Sequence, residues 1–142
     1  EALDGAHIVM SATTAVEPII KRGEFPAGCL FCQMGSFECE LEAVRDFDKL
    51  VVDNWAQVQH REIPVLAMAK AAGIIADEDI HAEIGEIITG QKPGRQSDAE
   101  RIFFHPVGTG MLDVAIGTRL LGTAEERGLG TMLDLWKKPA FV

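Results

Sequence analysis

A chain of 142 residues is long enough for one domain with a real core. Its 47% hydrophobic and 25% charged residues sit at the globular average, which excludes disorder along the whole chain. A net charge of −9 and a pI near 4.8 argue against nucleic acid and anionic membranes, whose phosphates would be repelled.

The opening Glu-Ala-Leu-Asp-Gly-Ala-His carries no basic n-region, no signal-peptide core and no initiator Met, so the chain is expected to begin inside a larger protein. No apolar run has transmembrane length. Cys29, Cys32 and Cys39 are an odd count without a disulfide framework, which suits a reducing cytoplasm.

In chain order, His7–Ala12 reads as a short buried strand ended by Thr13, Thr14 and Pro18. Gly28–Met34 is a second, closed by Gly35-Ser36, and Glu40–Arg45 is a short helical or turn segment. Lys49–Asp53 is a third strand, rich in β-branched residues. Asn54 is placed to N-cap a helix over Trp55–Arg61. Pro64 opens another helix over Val65–Ala72, with Gly73 at its end.

Asp77 begins an acidic segment, and a helix is expected over Ala82–Thr89, ending at Gly90. Lys92–Asp98 is a turn-rich loop, and Arg101–Phe104 a fourth strand. Gly108–Arg127 is the longest predicted helix, with Leu112, Ala115, Ile116, Arg119 and Leu120 at three- and four-residue spacing. Gly128 and Gly130 stop it, and Thr131–Trp136 reads as a last strand.

Strands alternating with helices predict an α/β fold around a mostly parallel sheet. Such sheets take ligands at the carboxyl ends of their strands. The candidate ligand-facing positions are therefore Thr13-Thr14, Met34-Gly35-Ser36 and Pro106-Val107-Gly108. The last of these joins a strand to a helix, and free backbone N–H groups are expected there for a ligand.

Other residues admit two readings. Gly108-Thr109-Gly110 is a tight helix start or a place where backbone approaches a cofactor. No GxGxxG follows a strand. Cys29 and Cys32 have CxxC spacing, but they lie in an apolar strand whose period of two separates them, so core packing is expected. The four histidines have no metal-ligand spacing to one another. His105, just before the Pro-Val-Gly turn, is assigned a packing or surface role. Asp77, Glu78 and Asp79 read as a solvated helix start. Glu83 and Glu86 are expected to make structural hydrogen bonds. Lys92-Pro93-Gly94-Arg95 is a solvated loop or a contact for a cofactor phosphate. Asp113 lies on the amphipathic helix inside an apolar stretch; a buried Asp there must be hydrogen-bonded, either as a structural anchor or as part of a site.

Several segments resemble, in order, the ornithine cyclodeaminase/mu-crystallin family of NAD(P)-dependent proteins. HIVMSATT looks like the family strand ending in Thr-Ala-Thr, GCLFCQMGS like the strand ending in Ala-Val-Gly, and DKLVVDN like the next strand. IHAEIGEIITGQKPGRQSDAERIFFHPVG is the most specific match, and GLGTMLDLW resembles the terminal strand that returns to the dimerisation lobe.

The resemblance implies the C-terminal half of a Rossmann-like parallel sheet with flanking helices. Residues 1–126 would belong to the NAD(P)-binding domain and 127–142 to the return segment. It assigns Thr13, Met34, Gly35, Ser36 and Pro106 to the side of NAD or NADP, and Val107 and Gly108 to the substrate. Pro106 stands where the family often has a serine. Asp113 matches an acidic position on the following helix. In ornithine cyclodeaminases an Asp two residues past the glycine of this turn acts on the substrate; here Phe37 stands there, and a phenyl ring cannot carry a proton.

The implied activity is therefore hydride transfer between NAD(P)H and the C–N bond of a small amino acid or cyclic imine. Cyclodeaminase-type ammonia elimination and a non-catalytic, mu-crystallin-like binding role are the alternatives. A cytoplasmic homodimer is implied for the complete protein. The family's substrate-carboxylate Lys and Arg and its glycine-rich pyrophosphate loop precede the matched segment, so the isolated chain is expected to be inactive.

Overall fold

The computed structural model describes residues 2–133 and divides into two compact units, Glu1–Gly108 and Thr109–Val142. The first is built on five strands: β1 (Ile8–Ser11), β2 (Leu30–Gln33), β3 (Lys49–Val52), β4 (Ile80–Glu83) and β5 (Ile102–His105). They form one sheet in the order β1-β2-β5-β3-β4, and every neighbouring pair is parallel. All carboxyl ends therefore lie along one edge of the sheet.

The sequence explains the layering. All four side chains of β3 are buried, as expected of an inner parallel strand covered on both faces. β1, at the sheet margin, alternates: Val9 and Ser11 are buried, while Ile8 and Met10 are 65% and 66% exposed. The core centres on Phe25, Phe31, Phe47 and Phe103, with the rings of Phe31 and Phe103 4.9 Å apart. Cys29, Cys32 and Cys39 are free and buried, as the apolar reading of this segment requires.

Between β3 and β4 lie α1 (Trp55–Arg61) and α2 (Val65–Ala71). Asn54 caps α1 as expected, its side-chain oxygen accepting from Gln57 N at 2.9 Å. A 3₁₀ turn, Leu41–Asp46, leads into β3. Just before β2, Gly28 adopts φ +74°, and a Cβ there would run into the Asp98 carbonyl. Only glycine lets the 94–100 loop pass so close.

One expected element of this unit differs. Ile80–Glu83 is a strand, and the helix α3 is only Ile84–Ile88. Leu50, Val51 and Val52 pair with Ile80, Ala82 and Glu83. This long-range ladder overrides the local helical preference of an Ala/Glu/Ile segment.

In the second unit, α4 spans Gly110–Glu126 and no side chain on it is buried. Asp113, read as an anchor or site residue if buried, is exposed within this unit. Residues 131–133 have no regular structure, and the rest of the expected terminal strand lies outside the described residues.

Candidate functional site

Because β1, β2 and β5 are adjacent and parallel, Thr13, Met34-Gly35-Ser36 and Pro106-Val107-Gly108 come together on one edge of the sheet. Thr13, Met34, Ser36 and Gly108 are exposed, and Gly35, Pro106 and Val107 are half-buried. They form an open rim of small and turn-forming residues. The strand-end residues singled out from the sequence share this rim.

Two residues that sequence reasoning missed hold the rim from below. Glu38 is fully buried. One carboxylate oxygen accepts from Thr13 N at 2.5 Å; the other accepts from Ser11 Oγ at 2.5 Å and Gly35 N at 3.0 Å. Burial pushes this carboxyl up, but the hydrogen bonds from Ser11, Thr13 and Gly35 outweigh it and hold the group below its ordinary value. Gln33, also fully buried, donates to the Gly35 and Ser36 carbonyls at 3.3 and 3.0 Å and fixes the same turn. Its oxygen accepts from the Cys39 thiol, which burial, with Glu38 and Glu40 adding to it, pushes up to about 12.

Asp53 does for β5 what Glu38 does for β1 and β2. Its carboxylate accepts from Asn54 N at 2.8 Å, Val107 N at 3.1 Å and Gly108 N at 2.8 Å. This corrects the expectation of free donors at the strand end: the Val107 and Gly108 amides are already bonded to Asp53. The sequence signal available was an acidic residue directly after the apolar run of β3. His105 is buried, not on the surface, with its ring edge-on to Phe103 at 5.8 Å. Its Nδ1 has no hydrogen-bond partner among the described residues. Burial lowers its pKa to about 4, against the opposing pull of Asp53 and Glu38.

The basic loop lies elsewhere. Lys49, the first residue of β3, holds the Gly94 carbonyl at 2.6 Å and Glu100 at 2.9 Å, so this loop packs at the amino ends of the strands. Lys92 Nζ donates to the His81 carbonyl at 2.8 Å. This placement, with Lys92 and Arg95 exposed, favours the solvated-loop reading over a phosphate contact. Glu83 accepts from Trp55 N at 2.8 Å and Glu86 from Glu83 N at 2.9 Å, the structural bonds expected of them. Phe37 is half-buried against the core. Among the described residues no three His, Cys, Asp or Glu side chains gather to hold a metal ion.

Residues 1–127 match the sequence model of the ornithine cyclodeaminase/mu-crystallin family. The chain belongs to this family. Among its relatives, the N-((2S)-2-amino-2-carboxyethyl)-L-glutamate dehydrogenase of Staphylococcus aureus is 29% identical over 96% of this chain and 40% of its own length. The Δ1-pyrroline-2-carboxylate reductase of Thermococcus litoralis, solved with NADH and L-proline, superposes with a TM-score of 0.80 at 31% identity, over 93% of this chain and 42% of that one. An archaeal alanine dehydrogenase dimer with bound NAD gives 0.77 at 27%, over 92% and 41%. The chain thus spans about two-fifths of the length of these family members.

Proposed function

We propose that this chain is the second half of the NAD(P)-binding domain, residues 1–126, and the start of the return segment, 127–142, of an oxidoreductase. The whole protein would transfer hydride between NAD(P)H and the C–N bond of a small amino acid or cyclic imine. The observation that carries the reading is the convergence of three adjacent parallel strand ends on one open rim, in a fold shared with NAD- and NADH-bound family members.

The residues present fit one end of a dinucleotide and not its diphosphate. Two carboxylates, Glu38 and Asp53, stand behind the rim, and the amides of Thr13, Gly35, Val107 and Gly108 already donate to them. A diphosphate would find negative charge and few unused donors here. A nicotinamide-ribose end would find the exposed residues Thr13 and Ser36, the Thr13 hydroxyl already accepting from Ala15 N at 3.2 Å. Pro106 contributes no side-chain donor, and Val107 and Gly108 face the substrate side. When bound, the nicotinamide supplies or accepts the hydride; the protein's part is to orient it and exclude alternatives. Phe37 offers no proton acceptor where cyclodeaminases place an acid, which favours reduction over ammonia elimination. By analogy with the alanine dehydrogenase, the complete protein is a homodimer.

The test uses the natural gene product that carries this sequence, incubated with NADH or NADPH and a cyclic imino acid, or pyruvate with ammonium. Imine-dependent oxidation of the cofactor is the expected result. Ammonia release from ornithine with catalytic NAD would replace this reading with cyclodeamination, and nucleotide binding without any turnover would replace it with a binding role.

A further inference from the structure

We propose that Glu38 is a positioning residue for the cofactor: its carboxylate ties the ends of β1 and β2 together and so sets the shape of the rim that receives the dinucleotide. This rests on the reading of the rim as a nucleotide site.

The three groups that Glu38 accepts from come from both strand ends: Ser11 Oγ and Thr13 N after β1, Gly35 N after β2. All three act as donors. A deprotonated carboxylate is the one side-chain group that accepts them all without presenting a donor of its own. The carboxylate is itself held from behind, because the Glu38 carbonyl accepts from Ile19 N and Ile20 N at 3.0 Å each. Among the described residues it has no cationic partner, and its charge is met by neutral donors alone.

A fully buried carboxylate without an ion pair is costly. Hydrogen bonds must therefore meet its charge, and every side-chain acceptor contact it makes is to one of the two ligand-facing turns or the strand end before them. Gly35 is matched to it: a Cβ there would lie 2.6 Å from the Glu38 carboxyl carbon, so the turn closes onto the carboxylate only with glycine.

The test is NADH affinity of the natural protein, by calorimetry at a temperature where circular dichroism shows each variant folded, with amide hydrogen exchange alongside. In Glu38→Gln the amide turns a donor toward donors. NADH affinity is expected to fall roughly tenfold, with exchange protection lost at Thr13 and Gly35. Glu42→Gln, an exposed carboxylate on the neighbouring 3₁₀ turn, is expected to bind as wild type. Should Glu38→Gln not fold, Gly35→Ala, which pushes the carboxylate away while keeping its charge, is expected to give the same loss. Unchanged NADH affinity in a folded variant whose melting temperature has dropped would make Glu38 merely structural and overturn the proposal. Absence of NADH binding by the wild-type protein would instead overturn the nucleotide reading on which it rests.

Discussion

At the scale of single residues, the site is a set of buried polar groups whose protonation matters. His105 is buried and neutral, and its folded pKa of about 4 lies below the ordinary 6.5. The unfolded chain therefore binds more protons than the folded one between these values. Stability must fall as pH drops from 6.5 to about 4, and level off below. A gap of this size corresponds to roughly 3 kcal/mol. Melting temperatures taken from pH 7 to pH 4 are expected to fall in the wild type and to fall less in His105→Leu. That variant also removes the unpartnered Nδ1 and is expected to match wild-type stability at pH 7. Glu38, with a depressed pKa, adds stability above its ordinary value that is lost only on further acidification. An equally steep profile in His105→Leu would refute the assignment. Asp53→Ala orphans the Val107 and Gly108 amides, and a loss of about 1–3 kcal/mol is expected by urea denaturation.

At the scale of elements, the fold rests on local rules that the sequence displays and on pairings that it hides. β1, β2 and β3 were legible because short apolar or alternating runs ended in turn residues, and α1 because Asn54 is a strong cap for a helix starting at Trp55. β4 was not, because its strand conformation comes from a partner about thirty residues away. The same distance hid the two anchoring carboxylates. Glu38 meets Thr13 across 25 residues and Asp53 meets Gly108 across 55, and no spacing rule reaches that far. The rim residues were legible because each comes directly after a strand. Where elements do obey local rules, substitutions should too. Glu62 ends α1 in the left-handed region at φ 58°, so Glu62→Gly is expected to raise stability by about 0.5–1 kcal/mol in thermal melts. Phe103, fully buried on β5 against Phe31, is expected to cost about 3–5 kcal/mol as Phe103→Ala.

At the scale of the molecule, the first unit has a sheet margin that asks for more polypeptide. Among the described residues β1 pairs only with β2, and its outer face carries exposed Ile8 and Met10. A groove of about 930 Å³ runs beside it, lined from Ala2 to Thr13 and reaching the ligand-facing rim. Unpaired strand edges with apolar side chains invite another strand. The family members that this chain matches are more than twice its length, and on the proposed function the rest of the natural protein would supply one. If the proposed function holds, the margin at β1 would be where the two halves of the nucleotide domain join, and the rim would bind a dinucleotide only once they have joined. Expressed alone, the 142-residue chain is expected to self-associate in sedimentation velocity and to bind NADH far more weakly than the natural protein. Covering Ile8 and Met10 is worth a few kcal/mol, so Ile8→Lys with Met10→Lys should weaken that self-association roughly a hundredfold. The same pair in the natural protein should lower NADH affinity without touching a rim residue. If the isolated chain sediments as a monomer and binds NADH as tightly as the natural protein does, β1 is an ordinary outer strand and the site is complete within these residues.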